Sequence, residues 1–152
     1  MGTPVVAVTA LLHRYARRLD AGDLVGVADL FRDADVLVSG TVIGSGSAFV
    51  EQFLRDSVIV HPDGTPQTRH VVAQPTIEMD DDTHATVGSQ FTVLQVGPGG
   101  AYVVMVGRHH DTVVEGVDGW RFASRDYGDI TFVGDTSRHL RPPPEPHRPP
   151  RS

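Results

Sequence analysis

Residues 68–132 read TRHVVAQPTIEMDDDTHATVGSQFTVLQVGPGGAYVVMVGRHHDTVVEGVDGWRFASRDYGDITF. Four stretches rich in β-branched and aromatic residues stand out: Thr68–Ile77, Ala85–Val96, Tyr102–Val114 and Trp120–Phe132. The segments between them, Asp80-Asp81-Asp82, Gly97-Pro98-Gly99-Gly100 and Glu115-Gly116-Val117-Asp118-Gly119, consist largely of turn formers. Long strands joined by tight turns predict an antiparallel meander. Simple alternation puts Thr68 and His70 on one strand face, with Arg69 on the other. It also puts Trp120 and Phe122 on one face, opposite Arg121, Ala123 and Arg125. Trp120 is expected to pack in the core.

Upstream, the period changes. Thr3-Pro4 is a helix N-cap followed by proline at the first helical position. Val8, Leu11, Leu12, Tyr15 and Leu19 follow at helical spacing, while Arg14, Arg17 and Arg18 lie largely off that stripe. Ala21-Gly22-Asp23 breaks this helix, and Asp23 caps a second one bearing Leu24, Val27, Ala28, Leu30 and Phe31. Val36–Val38 and Thr41–Ile43 form a short hairpin through Ser39-Gly40. A third helix runs from Ala48 to Val60 with Phe49, Phe53 and Leu54 on its buried face. Helices first and strands after predict an α+β domain, the sheet wrapped over the helices. Residues 1–140 are expected to form that one domain. Residues 141–152 form a Pro/Arg-rich tail with no apolar face to bury, expected to be disordered.

The length of 152 residues suits one domain and a core that needs no staple. There is no cysteine, so disulfides, thiolate metal sites and cysteine nucleophiles are excluded. All 13 basic residues are arginine and the net charge is -6, which argues against a nucleic-acid partner held by its phosphates. No apolar run approaches the ~20 residues of a membrane span, and the N-terminus lacks a basic leader. A cytoplasmic domain is expected, without membrane contact.

No GxSxG, phosphate loop, HExxH or dinucleotide fingerprint is present. Candidate chemistry therefore comes from polar residues in segments predicted to be buried. Asp20 stands at the end of the first helix, where a carboxylate opposes the helix dipole unless something pairs with it. Its plain alternative is a solvated helix end. His70 lies on a strand; it is either a satisfied core residue or an imidazole whose ring N–H needs a partner such as Asp20. Arg108-His109-His110-Asp111 interrupts an apolar strand. The two adjacent histidines face opposite sides, so they do not suit one metal ion, and no metal site is expected. Tyr15, Tyr127 and Arg125 complete the set; Arg125 could stabilise an anion if its face lines a cavity. Asp80-Asp81-Asp82 lacks the spacing of a calcium loop and is expected to be a solvated turn.

The stretch from Leu12 through Tyr15, Leu19, Asp20 and Asp23, with Leu30-Phe31 and Ala34-Asp35, resembles the opening of SnoaL-like proteins of the nuclear-transport-factor-2-like superfamily. Thr68-Arg69-His70, Ile77, Thr83 and Ala85 resemble that family's central strands. Gly107-Arg108, Asp111 and Asp118-Gly119-Trp120-Arg121-Phe122 resemble its closing hairpin. The similarity spans Val8 to Tyr127. It implies a cone-shaped, strongly curved antiparallel sheet around N-terminal helices, an α+β barrel with an apolar pocket at its open end. The most similar subgroup, including scytalone dehydratase and hexachlorocyclohexane dehydrochlorinase, uses an Asp–His dyad without metal or cofactor. Asp20 and His70 occupy the matching places. Tyr15, His109, Arg125 and Thr68 are carried over as substrate-binding residues. Gln74 replaces a common asparagine and His109 the usual aromatic, which bears on the substrate more than on the fold.

Two functions follow as expectations. One is a cofactor-independent lyase or isomerase, of dehydratase or cyclase type, acting on a small apolar carbonyl- or hydroxyl-bearing molecule such as a polyketide or terpenoid intermediate. The other is a non-catalytic ligand-binding or dimerising module, like the small subunit of ring-hydroxylating dioxygenases. The resemblance also implies a homodimer. A buried Asp20–His70 bond opening onto a cavity separates the two: the enzyme needs it and the module does not.

Overall fold

The computed structural model describes residues 3–142. Helix α1 spans Pro4–Asp20; the Thr3 hydroxyl accepts the Val6 N–H, and Val8, Leu11, Leu12, Tyr15, Ala16 and Leu19 form its buried stripe. It ends in a Schellman arrangement. The Gly22 N–H donates to Leu19 and the Asp23 N–H donates to Arg18. Gly22 has φ +76°, and a Cβ there would meet the Gly64 carbonyl oxygen head-on. The chain therefore leaves the helix sharply, with Asp20 in its last turn.

Helix α2, Leu24–Asp29, is shorter than its apolar pattern; Asp23 caps it and Leu30 to Asp33 form a turn. Strands β1 (Asp35–Val38) and β2 (Thr41–Ser45) make the expected hairpin. Helix α3 spans Gly46–Ser57, earlier than its predicted bounds, because Val58 is already extended. Its fully buried residues are Val50 and Leu54, with Phe49 and Phe53 only partly covered. Strands β3 (Thr68–Met79), β4 (His84–Gly97), β5 (Gly100–Gly116) and β6 (Gly119–Val133) are the meander, each longer than the sequence pattern suggested.

The six strands lie in the order β2-β1-β6-β5-β4-β3. Every pairing is antiparallel except β1 with β6, which is parallel. The sheet is open, with β2 and β3 as edges. Register shifts interrupt the β3–β4, β4–β5 and β5–β6 ladders, and such bulges bend a sheet into a curved half-shell. One shift falls at Gln74-Pro75; Pro75 lacks an N–H, which an edge strand tolerates. The sheet packs on α1 and on the turn after α2, where Phe31 stacks on Phe122 and Tyr15 meets both edge-on. Trp120 is buried in this core as expected.

Another shift, between Thr112 and Val113, pairs Thr112 with Ser124 but Val113 with Phe122. Ala123 is therefore an extra residue that reverses the alternation. Arg125 points inward with Trp120 and Phe122, contrary to the face assigned by simple alternation. After β6 the chain turns back. Leu140 bridges to Val58 and the Arg141 N–H donates to the Ser57 carbonyl, so the first residue of the predicted tail is docked. From residue 143 onward the tail lies outside the described residues. Among those described, no helix is long and apolar enough to cross a membrane.

Candidate active site

Asp20 and His70 come together where the end of α1 meets the start of β3. The His70 Nδ1–Asp20 Oδ1 distance is 2.6 Å. The His70 backbone N–H donates to Oδ2 at 2.9 Å, and the Thr68 hydroxyl donates to Oδ1 at 2.8 Å. These donors answer the problem posed by a carboxylate at a helix C-terminus. Burial alone would raise the Asp20 carboxyl. The hydrogen bond and charge of His70, its backbone N–H and the Thr68 hydroxyl outweigh that and hold it below the usual carboxylate value. The two side chains are 14% and 9% exposed.

His70 lines a cavity of about 290 Å³ bordered by α1, α3, the strands and the returning C-terminal segment. Its walls are mainly apolar, including Leu19, Phe53, Leu54, Phe91, Val93 and Met105. The polar groups in it are few: Tyr15, His70, His109, Tyr127, Ser57 and His139. Few polar groups converging in an apolar hollow are the usual composition of a small-molecule site. Larger and more open depressions lie on the sheet around His110 and Thr112, and beside Arg17, Arg69 and Arg138, where Asp20 joins the lining; His70 lines neither. The volume of a depression does not select the site here, because only this cavity combines the dyad's imidazole with apolar walls.

His109 and His110 alternate as expected. The His109 ring stacks on Phe91 at 4.2 Å, whereas His110 turns outward to Asp129 at 2.8 Å. Burial, with smaller pushes from Arg125, His70 and His110, drives the His109 imidazole well below its ordinary value, so it is neutral. Its Nδ1 has no partner among the described residues. No group of three metal-ligating side chains occurs among them. The Tyr15 and Tyr127 hydroxyls lie 2.9 Å apart, and burial raises the Tyr127 phenol well above its ordinary value.

Two expected substrate contacts lie elsewhere. Thr68 is fully buried against Asp20 and does not line the cavity; it positions the carboxylate. Arg125 is 1% exposed and lies behind the cavity wall. Its Nε and Nη2 donate to the two oxygens of Asp111 at 2.8 Å each, and its guanidinium lies 4.3 Å from the Tyr15 ring centre. It supports Tyr15 from below. Nothing in the sequence marks His139, which follows the last strand in a turn segment with no periodicity.

Comparison with known proteins agrees with this architecture. The sequence matches the SnoaL-like domain model over residues 4–126. No functionally curated protein matches it. Among solved structures, it is similar to a candidate scytalone dehydratase of Novosphingobium aromaticivorans, at 22% identity and a TM-score of 0.68, covering 86% of each chain. It is also similar to Aln2 of a Streptomyces species, at 26% identity and TM-score 0.69, covering 85% of this chain and 94% of that one. The β subunit of a candidate aromatic-ring-hydroxylating dioxygenase from Novosphingobium aromaticivorans matches at 16% identity and TM-score 0.66, with 88% and 94% coverage. A match over most of the chain, together with the open curved sheet around N-terminal helices, shows that this protein belongs to the SnoaL-like domain family.

Proposed function

We propose that the protein is a lyase or isomerase that works by acid–base chemistry of its own side chains on a small, mainly apolar molecule bearing a carbonyl or hydroxyl group. The observation that carries this is the Asp20–His70 pair with its imidazole on the cavity wall. With Nδ1–H donated to Asp20, the lone pair is on Nε2, the ring nitrogen not engaged by the carboxylate. That nitrogen takes a proton from a carbon beside a carbonyl or leaving group, and the C–H electron pair becomes the new double bond. Asp20 offsets the charge the ring acquires. In a dehydration the proton leaves with the departing hydroxyl as water; in an isomerisation it returns to another carbon.

The tyrosine pair supplies the complementary group. When one hydroxyl donates to the other, the acceptor keeps its own proton free to donate to a developing oxyanion. The same scaffold serves the dioxygenase β subunit noted above, but that likeness concerns the fold alone. The dyad's imidazole on the wall of an apolar hollow supports the enzyme over a purely structural module.

The test is a screen of cyclic ketones and β-hydroxyketones in D₂O, following α-proton exchange and water loss by NMR. The native protein is expected to accelerate at least one of them. His70→Ala is expected to abolish the acceleration while keeping the native circular dichroism spectrum. Equal rates in the variant would remove the dyad from the chemistry.

A further inference from the structure

His139 is carried into the cavity by the segment that follows β6. That segment is fastened to the link between α3 and β3. The Ile59 N–H donates to the His139 carbonyl at 3.0 Å, and the Arg141 N–H donates to the Ser57 carbonyl at 2.8 Å. Arg138 Nη2 donates to Gln67 Oε1 at 2.8 Å, and the Arg138 carbonyl lies 3.0 Å from His61 Nε2. The anchors flank His139 on both sides along the chain. Its ring is therefore delivered to a fixed place, 6.4 Å between centroids from that of His70.

The residue is 5% exposed and lines the cavity, and its Nδ1 has no partner among the described residues. A buried ring nitrogen without a partner is unfavourable. An apolar side chain would fill this place beside Val58 and Leu140 without that cost. We propose that His139 is a substrate-binding residue that hydrogen-bonds a hydroxyl or carbonyl oxygen of an otherwise apolar ligand at the His70 end of the cavity. The inference rests on the function proposed above for the cavity, and it narrows the substrate to molecules with an oxygen on the side of the base.

Burial pushes the His139 imidazole down to about 4; His70 presses the same way and Asp20 opposes it. The ring is therefore neutral at neutral pH and presents one N–H and one lone pair. It can donate to a carbonyl or accept from a hydroxyl. So weak a base does not take up the transferred proton itself.

The probes are p-cresol and toluene, which differ by one hydroxyl, tested by equilibrium NMR titration of the full chain with ¹⁵N-labelled histidine. Addition of p-cresol is expected to move the His139 ring-nitrogen shifts, and toluene to leave them in place. The preference for p-cresol over toluene should fall by roughly fivefold in His139→Phe, the range of a single neutral hydrogen bond. His139→Gln, which keeps a donor and an acceptor, should retain most of it. Unmoved His139 shifts, an unchanged preference in His139→Phe, or exclusion of both probes would overturn the proposal. Because binding is read without turnover, a protein that binds in this way yet catalyses nothing would retire the enzymatic function and leave the role of His139 standing.

Discussion

The Asp20 carboxylate holds His70 by two points, the ring through Oδ1 at 2.6 Å and the backbone N–H through Oδ2 at 2.9 Å. One contact sets the tautomer and the other fixes the strand on which the ring is mounted. Asp20→Asn keeps the shape and removes the charge, and its amide nitrogen can only donate. Turnover is expected to fall by about 10²–10⁴-fold, with the fold retained. Ring ¹⁵N shifts of His70 should show a mixture of tautomers in the variant where the native protein shows one. A native-like rate would show that orientation of His70 does not depend on the carboxylate.

The same contacts give a pH dependence with a definite sign. The folded-state pKa of Asp20 lies below its unfolded value of about 3.9. Its stabilising contribution is therefore complete above the unfolded value and is lost as pH falls through the folded one. Asp20→Asn resembles the protonated state permanently. The difference in Tm between native protein and variant should shrink progressively below about pH 4. Thermal melts at intervals across that range test it; a gap that widens on acidification would contradict the assignment.

Much of this site is legible in the sequence, for physical reasons. The α1 stripe ends cleanly at Ala21-Gly22-Asp23, which puts Asp20 at a helix terminus where it needs donors. His70 and Thr68 share a strand parity that the short run before the Gln74 bulge leaves undisturbed. Simple alternation puts Arg125 on the wrong face because one extra residue, Ala123, reverses the parity between Phe122 and Arg125. Nothing in a single strand's pattern reveals a bulge that exists only relative to its partner. His139 sits in a turn whose position is decided by hydrogen bonds to residues 57–59, contacts some 80 positions away in the chain. The parallel β1–β6 pairing is hidden for the same reason.

Tyr127→Phe removes one member of the hydroxyl pair at the cavity wall. Tyr15 keeps its ring contacts with Phe31 and Phe122 and loses its hydrogen-bond partner. A cost of about 0.5–1.5 kcal/mol is expected from urea denaturation, the usual net worth of one such bond. Turnover should drop more than stability suggests, by about 10-fold or more, because the free proton of the pair is no longer held toward the ligand. An unchanged rate would leave the tyrosines as packing only.

The Asp111–Arg125 pair tests whether Arg125 supports the site or takes part in it. Burial works against the Arg125 charge, but Asp111 and its hydrogen bonds more than offset this, so the guanidinium stays cationic beneath Tyr15. Asp111→Ala leaves that cation sealed without its partner, and a loss of about 3–5 kcal/mol is expected in urea denaturation. Replacing both members, Asp111→Leu with Arg125→Met, removes the desolvated charges together and should recover most of that loss. The flexible Met side chain can still fill the space under the Tyr15 ring. If Arg125 only supports Tyr15, the double variant should keep its rate within a few-fold. If the guanidinium stabilises negative charge on the substrate through the wall, the rate should fall by about 100-fold or more despite restored stability. Since Arg125 lies outside the cavity lining and both oxygens of Asp111 are engaged with it, the first outcome is the one expected.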